Sequence, residues 1–285
     1  MIFNKKRTLK RLTAFILILV TFALLKIYVN KFQEVKYYLA SAPVKNVVEG
    51  TEKLDSVSPP FIYLTQTEQC LPSKLVQNLQ LNVSSECQCE VIVLSYETES
   101  QEESPPHFTY LFDNTTTWGS GRNKLFFHAV ERRLDYIYYI FLDDDIALKF
   151  NGVATSAMKR LSPIRVFQDW LLDYEPAVGV VDYKLKREAK TVLHRRRTLC
   201  NRYRLVNDKS LANPTIYFDP LLNAFHAKAV SHIFPLDTRH EKVNWWLTDK
   251  YVTSVVELKF RGQALLFFPV TVENLLHRPY PRSFY

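Results

Sequence analysis

From residue 61 onward the chain alternates between short apolar runs and longer stretches whose apolar positions recur every three or four residues. Phe61–Thr65, Glu90–Tyr96 and His107–Phe112 read as strands, the last entered through a polar loop holding Pro105 and Pro106. Tyr136–Leu142 is an unbroken apolar run, the pattern of a strand buried on both faces. Between these runs, Leu75, Val76 and Leu79 share a helical face within Pro72–Leu81, and Pro72 suits a helix start. Leu125, Phe126, Ala129 and Val130 share another within Gly121–Arg133. Further on, Phe167–Tyr174 reads as an amphipathic helix closed by Glu175-Pro176, and Ala177–Val181 and Ala264–Val270 as strands. Asp219–His226 leads into a helix ending near His232. Strand and helix in alternation predict an α/β architecture on a mostly parallel central sheet. In such sheets ligands sit at the carboxyl ends of the strands.

The first sixty residues follow another pattern. Leu12–Leu25 carries no charge, Lys26 interrupts it, and Ile27-Tyr28-Val29 resumes it. As a helix, Leu12–Leu25 alone spans about 21 Å. With Lys26 snorkelling and Ile27–Val29 added, the segment is long enough for a thin internal membrane. Lys5, Lys6, Arg7, Lys10 and Arg11 stand directly before it, so the positive-inside rule keeps residues 1–11 in the cytosol. A cleaved signal peptide is the competing reading, but its small-residue site, Ala40-Ser41-Ala42, lies far beyond the apolar run and is followed by Pro43. The expectation is therefore a cytosolic tail over 1–11, a transmembrane signal anchor over 12–29, a stem over 30–60 and a luminal domain over 61–285. Residues 30–60 are mixed and polar and end in Ser58-Pro59-Pro60.

Composition narrows the function. The 285 residues carry a net charge of +8, yet the basic excess is concentrated at residues 1–11 and in Lys184–Arg204. The remainder is net acidic, and the membrane topology argues against nucleic acid as a partner. Only 6 Gly are present and no GxxxxGK[ST] string exists, which excludes a Walker A loop. Gly119-Ser120-Gly121 lacks the third Gly of a dinucleotide fingerprint. A luminal body agrees with two glycosylation sequons, at Asn82 and Asn114. It also permits disulfides among Cys70, Cys87, Cys89 and Cys200. Cys87 and Cys89 look too close to pair, which leaves Cys70 joined to one of them; a zinc site has no clustered His to complete it.

Asp143, Asp144 and Asp145 follow the buried strand directly. Strand alternation would put Asp143 and Asp145 on one face and Asp144 on the other. Carboxylates this close repel and lose solvation unless a cation compensates them, and their hard oxygens suit Mn²⁺ or Mg²⁺. An EF-hand beginning at Asp113 fails, because Trp118 stands at the turn glycine and Lys124 at the closing Glu. Lys184–Arg204 reads either as a solvated loop or as a lid supplying cations to a pyrophosphate leaving group.

Phe112-Asp113, then Gly121-Arg122-Asn123, then Ile140-Phe141-Leu142-Asp143-Asp144-Asp145 resemble, in order and spacing from Phe61 to Asp145, the nucleotide-sugar-binding half of GT-A fold glycosyltransferases. The resemblance implies a Rossmann-like GT-A domain over 61–285 behind an N-terminal transmembrane helix. Asp113 would hold the base or ribose, and Arg122 would neutralise phosphate or fix Asp143. Asp143 and Asp144 would contact the nucleotide sugar, and Asp143 and Asp145 the metal. On the acceptor side, Trp245 and Trp246 precede Thr248-Asp249, where the family carries an aromatic-rich segment and then a helix bearing an acid. Asp249 would be the base, with Glu241 and Asp237 as competitors. The usual Glu-Asp pair reads Thr248-Asp249 here, which leaves the base open. His277 stands where many members supply a further metal ligand.

The resulting expectation is a metal-dependent, single-pass type II glycosyltransferase of the Golgi membrane, or of the endoplasmic reticulum. It would move sugar from a nucleotide-sugar donor to a glycan or glycoprotein acceptor, with Mn²⁺ or Mg²⁺ as cofactor. The alternatives are a catalytically silent GT-A-like domain that binds glycans or partners, and a phosphoesterase. The second alternative lacks the additional carboxylate–His cluster of a two-metal site.

Overall fold

The computed structural model describes residues 58–83, 87–100, 105–183, 211–244 and 246–276. The expected tail, anchor and most of the stem, the basic segment 184–204, Cys200, Trp245 and His277 lie outside the described residues. Among the described residues no helix is long and apolar enough to cross a membrane.

The strands, in chain order, are Phe61–Thr67 (β1), Cys89–Ser95 (β2), Phe108–Phe112 (β3), Tyr138–Asp143 (β4), Ile146–Phe150 (β5), Val178–Tyr183 (β6), Ala212–Pro214 (β7), Leu222–His226 (β8) and Ala264–Asn274 (β9). The helices are Ser73–Asn78 (α1), Trp118–Arg132 (α2), Pro163–Tyr174 (α3), Ala227–Val230 (α4), Glu241–Asn244 (α5) and Trp246–Lys259 (α6). The described strands form one sheet in the order β3-β2-β1-β4-β8-β6-β9-β5, with β7 on β9. β3, β2, β1 and β4 run parallel to one another, and β6 is parallel to β9. β8 runs antiparallel between β4 and β6. The carboxyl ends of β1 to β4 and the start of β8 therefore share one edge, where Gln66 stands opposite Asp143 and Leu142 opposite Leu222.

Burial on both faces explains the apolar composition of β1, β2 and β4. Alternate residues feed two cores. Tyr63, Val91 and Ile140 pack with Leu75 of α1 and with Phe167, Trp170 and Leu171 of α3. Ile62, Leu64, Ile92 and Phe141 pack with Leu125 and Phe126 of α2 and with Val252 and Val256 of α6. Each fully buried large side chain contributes about 1.5–3 kcal/mol. Phe234 stacks on Phe141 at 4.4 Å between centroids and meets Phe126 at 5.2 Å, so α2 is registered against β4 by an aromatic column.

Three expectations need correction. Cys87 and Cys89 are bonded to each other, and Cys70 is a free thiol within hydrogen-bonding distance of Ser100. The reason is Gln88, whose φ of 47° folds the chain back and brings the two Cα atoms to 5.1 Å. Second, β4 ends at Asp143 and residues 144 and 145 form a turn, so strand alternation does not govern them. Third, Leu222–His226 is a strand, and the helix after it is a single turn, 227–230. The strands β5 and β7 have no counterpart in the sequence reading.

Candidate active site

The helix α2 brings the first charged group to the carboxyl edge. It starts in a capping box, where the Thr117 hydroxyl accepts from the Ser120 amide and the Ser120 hydroxyl accepts from the Thr117 amide. One turn further, Arg122 is buried, and its Nη2 donates to Asp143 Oδ1 at 2.8 Å and to the Pro220 carbonyl at 3.1 Å. Its guanidinium carbon lies 4.3 Å from the centre of the Trp118 ring. Arg122 therefore ties the end of β4 to the turn that opens β8. The neighbouring Asn123 bonds Leu236 through both ends of its amide, at 2.6 and 2.9 Å, and holds the 234–238 loop against α2.

Burial raises the pKa of Asp143 to about 7, although a fifth of its side-chain surface still meets solvent. Arg122 opposes the shift, while Asp219, Asp145 and Asp144 each add to it. Four carboxylates thus press on one another beside a single buried guanidinium. Their hard oxygens are the donor chemistry of a divalent cation, and such a cation would relieve the repulsion. Among the described residues no group of three His, Cys, Asp or Glu side chains stands ready to hold a metal ion. Water and donor oxygens would have to complete any such site.

Asp249 lies buried in the first turn of α6. Burial raises its pKa; Lys250 and, more weakly, Arg122 oppose the shift. Asp249 is thus in electrostatic reach of the residue that binds Asp143. Lys250 Nζ donates to Asp249 Oδ2 at 3.0 Å and lies 4.5 Å from the Tyr217 ring centre and 4.4 Å from that of Trp246. Trp246 itself is half exposed.

The other expected residues are placed as follows. Asp113, just beyond β3, accepts from Lys124 at 2.7 Å and from the Thr115 amide and hydroxyl. Lys124 first, then Thr115, hold it well below the usual carboxylate range. Glu241 is buried and saturated: Oε1 accepts from the Gly119 amide at 2.6 Å, and Oε2 accepts from the Thr117 hydroxyl and the Ser120 amide. It stands at the amino end of α2, where the helix dipole favours an anion. Asp237 is tied to Arg239, which lowers its pKa to about 2. Asn82 and Asn114 are both exposed, the latter beside Asp113. The sequence reading passed over Asp219, Lys250 and Tyr217. Asp219 had a visible signal, an Asp-Pro pair directly before an apolar run. Lys250 and Tyr217 meet only in three dimensions.

No protein-family model matches the chain, and no curated protein sequence does. Among solved structures it is similar to the mannosyltransferase PcManGT from Pyrobaculum calidifontis, solved in complex with GDP-Man and Mn²⁺. That likeness has 14% identity and a TM-score of 0.46, and covers 90% of this chain and 66% of the other, just under two thirds. The A197 protein from STIV is similar at 11% identity and a TM-score of 0.40, over 74% of this chain and 83% of that one.

Proposed function

We propose that the domain is a glycosyltransferase that binds a nucleotide sugar at the carboxyl edge of β1 to β4 and transfers its sugar to a hydroxyl. One observation carries the reading. Asp143, with Asp144, Asp145 and Asp219 around it, is locked by a buried Arg122 at the end of the central strand, and the buried Asp249 of α6 lies within electrostatic reach of the same guanidinium. The edge thus offers a carboxylate cluster that would take a cation, and with it a diphosphate, and a second buried carboxylate for the hydroxyl.

The roles follow from the chemistry of each group. Arg122 neutralises Asp143 and fixes the 219–221 turn. Asp249 accepts the proton of the acceptor hydroxyl at its carboxylate, helped by a burial that raises its proton affinity. Lys250 orients that carboxylate, and the half-exposed ring of Trp246 offers a face to a sugar. Asp145, with Asp143 and His277, would hold Mn²⁺ or Mg²⁺. Bound there, such an ion supplies Lewis-acid stabilisation of a departing diphosphate. Membrane anchoring through residues 12–29 and action in the secretory pathway rest on the apolar run, its basic flank and the two sequons. The acceptor is a glycan or glycoprotein hydroxyl.

The test is a thermal-shift panel of nucleoside diphosphates on the purified chain, with Mn²⁺ and with EDTA. A nucleotide at a hundred times its Kd stabilises by about 2.7 kcal/mol. One nucleotide should stabilise the fold only with metal, and Asp145→Ala should abolish both that shift and sugar transfer while the melting temperature without ligand stays put. Unchanged transfer by Asp145→Ala removes the metal role. A folded chain that responds to no nucleotide is the silent, partner-binding domain instead.

A further inference from the structure

We infer that Glu241 is a positioning residue: from the acceptor-side segment it clamps the first turn of α2 and thereby sets the place of Arg122 at the candidate active site. The inference rests on the glycosyltransferase reading for its consequence in turnover, but its structural content stands apart from that reading. Glu241 is separated from Thr117 by 124 positions in the chain, so the contact joins distant segments. Its carboxylate takes the Gly119 amide and shares the Ser120 amide with the Thr117 hydroxyl, two helix-end donors that no earlier turn can satisfy, and it accepts from the Thr117 hydroxyl as well. The approach is possible because residue 119 has no side chain. A Cβ there would lie 2.4 Å from Glu241 Oε1 and 2.9 Å from its Cδ.

Arg122 sits one turn along the same helix, and its single bonding nitrogen reaches both Asp143 and Pro220. The far end of α2 is held independently, by Glu90 on β2, whose two oxygens lie 2.6 Å from Arg132 and 2.8 Å from Arg133. With that end fixed, the position of the first turn depends on what grips the amino end. The Thr117–Ser120 box is local and moves with the helix, whereas Glu241 and the Gln66 amide bonded to the Thr117 carbonyl refer the turn to the rest of the domain. Thr248, on the neighbouring helix, bonds the Asp237 carbonyl and so ties the Glu241 segment to the start of α6, where Asp249 lies. Donor-side and acceptor-side groups are thus spaced through one carboxylate that does not itself touch substrate.

Hydrogen exchange of the full chain in detergent tests this with Glu241→Gln, which keeps the volume and removes the charge and half the acceptor capacity. Exchange over residues 118–122 should rise about tenfold or more, and that over 219–222, held through Arg122, should rise with it, while β2 stays unchanged. A rise confined to 118–120 overturns the proposal. Thr117→Val, which deletes the bridging hydroxyl and leaves the Gly119 contact, carries the same test should Glu241→Gln unfold the domain. In turnover of the nucleotide sugar, Glu241→Gln should lower kcat more than it alters the acceptor KM. It should also be non-additive with Arg122→Lys; strict additivity would mean the two act separately and refutes the link. If the wild-type chain turns over no nucleotide sugar, the proposed function fails, and the exchange pattern still decides for or against the clamp.

Discussion

Gly119→Ala is the most discriminating perturbation, because two physical effects of known sign oppose each other there. In an exposed helix, replacing Gly by Ala gains about 0.5–1 kcal/mol through lost chain entropy in the unfolded state. At position 119 the added methyl would lie 2.4 Å from Glu241 Oε1 and 3.0 Å from Thr248 Cγ2. Glu241 is not a loose surface side chain that can swing aside, since three donors hold it. Overpacking of this kind costs about 1–3 kcal/mol, and losing a hydrogen bond to a charged group about 1.5–3 kcal/mol. The repulsive side wins by about 1–3 kcal/mol, and for a domain of this size that lowers the melting temperature by roughly 3–10 °C. Thermal melts of the purified chain read the shift directly. Gly152→Ala is the internal control, because nothing lies within 4 Å of a Cβ there. A Gly119→Ala variant as stable as wild type, or more so, would refute the reasoning, since it would mean Glu241 leaves α2 at little cost.

Two further outcomes can be stated. Arg122→Leu removes the guanidinium that opposes protonation of Asp143, so Asp143 takes up a proton at neutral pH, and the loss is that of the bonds to Asp143 and the Pro220 carbonyl, which should destabilise the fold by about 1–3 kcal/mol in chemical denaturation. Burial raises the pKa of Tyr63, Tyr136, Tyr138 and Tyr139 above that of a free phenol. Their contribution is therefore complete below the unfolded value near 10 and is lost as pH rises past it, because the unfolded chain then sheds protons that the folded one keeps. Each group removes about 1.4 kcal/mol of stability per pH unit above 10. Phenolate absorbance and circular dichroism followed in one alkaline titration should change together; buried tyrosines that ionise while the fold persists would contradict the packing.

Much of the fold is legible because its central strands are buried on both faces. Tyr138–Leu142 announces itself as an unbroken apolar run, Phe61–Thr67 and Cys89–Ser95 by short β-rich apolar stretches, and α2 and α3 by their periodic faces. Ile146–Phe150 does not, because it is short and the exposed Lys149 interrupts its apolar residues. β7 is three residues long, and only its pairing with β9 makes it a strand. The disulfide was misread for a local reason: spacing alone suggests that a Cys-x-Cys pair is too close, whereas a positive φ at Gln88 changes the distance. Of the site, Asp143 and Arg122 were visible through their motifs. Asp219 and Lys250 become site residues only through β8 running back beside β4 and α6 folding over the same edge.

The choice between Glu241 and Asp249 shows what sequence spacing alone cannot weigh. Both are acids in the first turn of a helix, α5 for Glu241 and α6 for Asp249, and both are buried. What separates them is how their lone pairs are used. Glu241 already accepts from two amides and a hydroxyl, and these contacts hold the amino end of α2. Asp249 is bonded by Lys250, an ammonium on a flexible stem that is itself shared with two aromatic rings. Its burial raises its proton affinity, and Arg122 opposes that shift only weakly. A general base needs an oxygen that can receive a proton without dismantling the fold around it. Under the proposed function that criterion assigns the proton transfer to Asp249 and the alignment to Glu241. The corresponding neutral variants should therefore differ in kind: Asp249→Asn should remove turnover with α2 exchange unchanged, and Glu241→Gln should disturb α2 and leave residual turnover.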